Sequence, residues 1–157
     1  MYSSDALRSI IRIACLLIDK WSPEAEELLM GTAAKESHLG TLGLVQIGGG
    51  PAKGLWQMEP DTEYDIWFNY LSFRPDLKKL VTAATGLTGP DPRHLQYNPI
   101  YGAIMARLHY WRVKYPLPAA HEVRAQADYW DVHYNCNPEK GFPAEYIELY
   151  YKLIMRA

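Results

Sequence analysis

Apolar positions along the chain recur mostly at three- and four-residue spacing, the period of a helix with one buried face. Leu7, Ile10, Ile11, Ala14, Leu17, Ile18 and Trp21 form the first such stripe and predict a helix over 5–20. Ser22 followed by Pro23 reads as a cap and a first helical residue, with Glu24, Glu26 and Glu27 favourably placed near the positive end of the dipole. This second helix runs to about His38 and stops at Gly40. The texture then changes. Leu44 to Ile47 and Leu55 to Met58 flank Gly48, Gly49, Gly50 and Pro51, which predicts a short β-hairpin region over about 43–58. Further helices are expected over 61–71, over 75–85 with Gly86 as the stop, and from Asn98-Pro99 to about Val113. Two more follow, over 118–130 and from Pro143 onward, where Tyr146, Leu149, Tyr150, Leu153 and Ile154 make one stripe. The stretch 86–96, with Gly89-Pro90-Asp91-Pro92, reads as a loop, and Gly102 inside a helix points to a close helix contact. The expected class is α+β, mostly helical, in a single domain over 1–157 without repeat or linker.

Composition sharpens this outline. In 157 residues, 48% are apolar, enough for a packed core. Lys and Arg number 16 against 18 Asp and Glu, a balance that argues against a nucleic-acid binder or a polybasic membrane-surface protein. No run approaches the roughly 20 apolar residues of a membrane span. Ile10 to Ile18 resembles a signal-peptide core, but Asp5 precedes it and no small-residue cleavage site follows, so no export signal is expected there. Cys15 and Cys136 are too few for a disulfide framework and read as free thiols. Aromatic residues reach 13%, which suits a packed core or a sugar-stacking surface equally.

Glu36 is the most informative polar residue. At helical spacing it falls near the line of Leu29, Thr32 and Ala33, at the C-terminal end of the second helix. A carboxylate there is expected to be desolvated and close to helix-end carbonyls, both of which raise its pKa toward the range of a general acid. The alternative is a helix-end glutamate turned outward or paired with a lysine. Other constellations are poorer. His38, His94, His109, His121 and His133 lack metal-ligand spacing, so no metal and no cofactor are expected. Gly48 to Gly54 includes Lys53 but lacks the ending of a phosphate loop, and Cys15 falls on a core stripe, unlike a nucleophile. Glu59, Asp61, Glu63 and Asp65 read either as a solvated first turn or as the source of a second catalytic carboxylate.

The neighbours of Glu36 carry a resemblance. Glu36-Ser37 is followed by Gly54-Leu55-Trp56-Gln57-Met58-Glu59-Pro60, then Asn98-Pro99-Ile100-Tyr101-Gly102, then His133-Tyr134-Asn135-Cys136-Asn137. This order resembles the lytic transglycosylase and goose-type lysozyme group of the lysozyme-like superfamily, with its Glu-Ser pair, Gly-Leu-Met-Gln-x-x-Pro segment, Asn-Ile-x-x-Gly-like helix start and Ala-Tyr-Asn-x-Gly motif. Trp56 stands where the family has Met, Pro99 replaces Ile, His133 replaces Ala and Asn137 replaces Gly. The resemblance implies a lysozyme-like fold and cleavage of the β-1,4 bond between N-acetylmuramic acid and N-acetylglucosamine, with 1,6-anhydro products. It implies Glu36 as catalytic acid and base, with Tyr134 donating its hydroxyl to it. It also implies Ser37, Gln57, Met58 and Asn135 as substrate-binding residues; for Ser37 and Asn135 a purely structural role is the alternative, and Asn98 reads as a helix cap. Trp56, Tyr64, Trp67, Tyr97, Tyr101 and Trp130 would supply either sugar-stacking faces or core. The implied partner is the peptidoglycan glycan strand, met by a monomer, with no nucleic acid and no membrane insertion. Such a chain would act as a phage lysis protein, from the host cytoplasm through a holin, or as a virion-associated enzyme. The rivals are a hydrolase with a second carboxylate and an inactive wall-binding or structural virion protein.

Overall fold

The computed structural model describes residues 2–135 and 141–155. Within them the chain forms eight α-helices: α1 (Ser4–Leu17), α2 (Pro23–Ser37), α3 (Pro60–Asn69), α4 (Pro75–Thr85), α5 (Pro92–Tyr97), α6 (Pro99–Trp111), α7 (Val123–His133) and α8 (Pro143–Tyr150). Single turns extend two of them, a 3-10 turn at Leu71–Phe73 and a π turn at Tyr151–Met155. None of the described helices is long and apolar enough to cross a membrane.

The cap-and-proline starts form where local chemistry dictates. Ser22 accepts from the Ala25 N–H at 3.0 Å and Asn98 from the Tyr101 N–H at 3.1 Å. α1 buries Leu7, Ile11, Ala14 and Cys15 but ends earlier than expected, leaving Leu17 exposed. Asp19 turns the backbone at φ 58, and the Asp19 and Lys20 N–H groups bond back to Leu16 and Cys15. Glu26, 4% exposed, ties α1 to α2 by accepting from Arg12, Arg8 and Trp21. Burial pushes its carboxyl pKa up, but the hydrogen bonds from Arg12, Trp21 and Arg8 prevail and hold it below its ordinary value. At the centre lies α6, buried on every side from Tyr101 to Leu108, with α1, α2, α3, α4 and α5 packed around it.

Three expectations are corrected. The fold is all-helical rather than α+β: the 43–58 region holds only two isolated antiparallel bridges, Val45 with Lys53 and Lys53 with Met58. Positive φ angles at Gly43, Gly48, Gly49, Gly54 and Gln57 interrupt any extended run before a ladder can form. The stretch expected as a loop contains α5, started by the same cap-and-proline device, with Asp91 accepting from the Arg93 N–H at 3.1 Å. Finally, α7 starts at Val123 instead of 118, because Gln126 takes the carbonyls of Ala119 and Ala120 at 3.1 and 2.7 Å and holds them outside the helix.

Candidate active site

Glu36 lies in the last turn of α2, half-buried, one residue before the helix ends. His38, Leu39 and Gly40 all take positive φ, so the chain reverses sharply there. The Glu36 Oε1 accepts from the Trp130 indole N–H at 3.0 Å, and Trp130 is only 1% exposed. Of the two orientations open to this residue, the inward one is therefore observed. Neighbouring Lys35 pairs with Glu145 at 3.5 Å and sits 5.2 Å from the centre of the Trp130 ring. An indole nitrogen can only donate, so Trp130 fixes one carboxyl oxygen without competing for the proton.

The segment after the glycine-rich turn is fastened beside Glu36 by all the other motifs. Ser37 donates to the Leu55 carbonyl at 2.8 Å, and Tyr134 donates to the Trp56 carbonyl at 2.5 Å. The Trp56 indole N–H bonds back to the Leu29 carbonyl of α2 at 3.0 Å. A Cβ added at Gly102 would lie 3.2 Å from the Trp56 ring, so α6 carries glycine where that ring packs. Three motif segments thus converge on the fourth at Leu55 and Trp56, and the first of them carries the half-buried Glu36.

The geometry places each residue of the motifs. Ser37 is 1% exposed and bonded to the Ala33 and Leu55 carbonyls, so it fastens the 54–58 turn to the end of α2. Met58 is 4% exposed and belongs to the core. Tyr134 gives its hydroxyl hydrogen to the Trp56 carbonyl of the turn. Gln57 is half-buried at φ 45 and its Nε2 donates to the Gly54 carbonyl at 2.9 Å. Asn135 donates to Asp131 at 3.0 Å and to the Gly141 carbonyl at 3.4 Å, joining the end of α7 to the approach to α8. Asn98 caps α6, as its place before Pro99 predicts. Cys136 and Asn137 lie outside the described residues.

Among the aromatics, Trp56, Trp67, Tyr101 and Trp130 are core, whereas Tyr64 and Tyr97 are exposed. Tyr97 lines a cavity of about 520 Å³ with His94 and Asn98. The acidic cluster divides. Glu63 is fully buried, accepting from Tyr101 and from the Asp91 N–H, and burial holds its pKa above the ordinary value. Asp65 pairs with Arg112 at 2.6 Å, while Glu59 and Asp61 stay exposed. Burial pushes the Cys15 thiol up to about 12, which leaves it unreactive at neutral pH. Among the described residues no three His, Cys, Asp or Glu side chains gather as a metal site requires.

His109 meets the Tyr134 ring edge-on at 5.1 Å, and its Nδ1 lies 3.2 Å from an Arg112 nitrogen. Arginine only donates, so Nδ1 is an acceptor and the ring is neutral. Burial pushes the imidazole down to about 4, with Arg112 and His133 adding to the effect and Asp65 opposing it. The unfolded chain takes up this proton near pH 6.5 and the folded chain only near 4, so stability falls across that window as pH drops. The expected loss at pH 4 is roughly 2–3 kcal/mol relative to H109Q, whose amide oxygen still accepts from Arg112. Denaturant unfolding of both proteins at pH 7 and pH 4 measures it, and a difference independent of pH would exclude His109 as the source.

Trp130, the partner of Glu36, carries one local signal: it stands four residues before Tyr134, hence on the same side of α7 as that motif tyrosine. Comparison of the chain with protein-family models, curated proteins and solved structures finds no significant match.

Proposed function

We propose that this protein is a peptidoglycan-cleaving enzyme of lysozyme-like fold that acts as a lytic transglycosylase, with Glu36 as its acid and base. One observation carries the reading: the segments of the four family-like motifs meet at Leu55 and Trp56, and Glu36, one residue before the Ser37 that joins them there, has its carboxyl held by the Trp130 indole. Each motif alone has an ordinary structural explanation, but those explanations do not require all four to assemble around one carboxyl.

The chemistry follows from Glu36 being, among the described residues, the carboxyl that stands in a motif context. Glu36 protonates the glycosidic oxygen while the N-acetyl oxygen of the muramic residue attacks its own anomeric carbon, so that the C1–O4 bond breaks. The ionised Glu36 then takes the proton of the C6 hydroxyl. O6 attacks C1, the oxazolinium ring reopens, and Glu36 is left protonated for the next cycle. The burial of Glu63 and the pairing of Asp65 with Arg112 favour this route over one that activates water with a second carboxylate.

The test is a mass spectrum of muropeptides released from purified peptidoglycan. Products lighter than their hydrolysed counterparts by one water, with no reducing muramic end, are expected. Reducing ends would replace the lyase with a hydrolase using Glu59 or Asp61, and no release at all would leave an inactive wall-binding or virion component.

A further inference from the structure

The largest of the described cavities, about 760 Å³, lies at the opposite end of α2 from Glu36. Ser22 and Glu24 at the start of that helix line it, some 20 Å along the helix axis from the carboxyl. Its volume is that of a small-molecule site. One wall is the irregular chain between α6 and α7, which contributes Tyr115.

Arg107 also lines this cavity, and it is an unusual residue to find there. It stands on the central helix, 4% exposed, with no carboxylate within ion-pairing distance among the described residues. Its Nε donates to the Lys20 carbonyl at 2.8 Å. Its Nη1 is fully enclosed and meets no acceptor. The remaining nitrogen, Nη2, has no acceptor among the described residues and is not sealed in the same way, so it is the part of the group that meets the cavity. Burial lowers the pKa of Arg107, yet an arginine keeps its charge in proteins. A buried, unpaired guanidinium is costly, and an anion placed against it recovers that cost.

The surroundings define the rest of the ligand. The Trp111 ring lies 5.2 Å from the Arg107 guanidinium carbon and 4.5 Å from the Lys20 Nζ. Trp21 and Tyr115, both exposed, add aromatic surface to the wall. Asp19 and Glu24 line the same cavity and disfavour a multiply charged anion. From this we propose that the cavity is a second binding site, for a small monocarboxylate with an aromatic or flat apolar body. Its carboxylate pairs with Arg107 and Lys20, and its body lies against Trp111. The site is separate from the Glu36 chemistry and stands whether or not that chemistry is correct.

Phenylacetate is the probe, titrated into the intact chain by calorimetry and by side-chain NMR of the arginine Nε–H groups. Saturable binding with a shift of the Arg107 resonance is expected. Benzyl alcohol and phenylethylamine, which keep the ring without the anion, should bind at least about tenfold more weakly. Arg107→Met should weaken phenylacetate by a similar factor, and Trp111→Leu should weaken it while the Arg107 resonance, measured from its own ligand-free position in that variant, still shifts on titration. Equal binding of the three ring compounds would make the cavity a generic apolar pocket and overturn the proposal. Inorganic phosphate binding as tightly as phenylacetate would reduce it to a bare anion site and overturn it equally. Where Arg107→Met does not fold, the comparison of probes on the unaltered chain decides.

Discussion

Glu36→Gln is expected to abolish cleavage of peptidoglycan, by about 10³-fold or more, while the protein keeps its fold. The size of the effect comes from the double duty asked of one group, which must both give a proton to the leaving oxygen and take one from the C6 hydroxyl. An amide does neither. The fold is expected to survive because the Gln Oε1 still accepts from the Trp130 indole, the hydrogen bond that ties the carboxyl to α7. A half-buried position with its acceptor retained should cost no more than about 1 kcal/mol, or a few degrees in Tm. Turbidity loss of a cell-wall suspension, read beside a thermal melt of each protein, separates the two effects. Activity within tenfold of the unaltered chain would remove Glu36 from the chemistry. Loss of activity accompanied by a large fall in Tm would show that the carboxyl holds the structure instead.

Which parts of this site can be read from the chain alone follows from the range of the interactions involved. Helix starts at Pro23 and Pro99 are readable because a cap and its N–H partner are three residues apart. Asp91-Pro92 carries the same signal, but α5 is six residues long, too short to show a period, and the surrounding glycine and proline mask it. The bent path of 43–58 depends on Gln57 at φ 45, a conformation that a glutamine does not announce, together with long-range anchors to Ser37 and Tyr134. Glu36 stands out because its own helix places it near an apolar line. Its partner Trp130 does not, since the two are 94 residues apart and only the packing of α7 against α2 brings them together. Ser37 and Met58 show the complementary limit: a motif position says that a residue is needed, and only the fold shows that both side chains are buried.

Gly54→Ala is expected to damage both the fold and the activity. Gly54 has φ +83, and an added Cβ would sit 1.9 Å from the Leu95 carbonyl oxygen and 2.9 Å from its carbon. The obstacle is backbone at the end of α5, so no side chain can swing aside. Gly48 provides the control, because it has nearly the same φ, +85, and nothing within 4 Å of an added Cβ. Gly48→Ala should therefore carry only the left-handed backbone cost, about 1–2 kcal/mol. Gly54→Ala carries that cost plus the displacement of the 54–58 turn from α5, for a total of about 3–5 kcal/mol and a Tm lower by about 10 °C or more. Activity should fall further than stability in Gly54→Ala. The same movement pulls Leu55 and Trp56 from the Ser37 and Tyr134 hydroxyls, which undoes the joint between the motif segments at the end of the helix that carries Glu36. Thermal melts and cleavage assays on the two alanine variants measure both differences. Equal Tm values would mean that the approach of Gly54 to Leu95 relaxes at no cost, and that the turn is held by its hydrogen bonds alone.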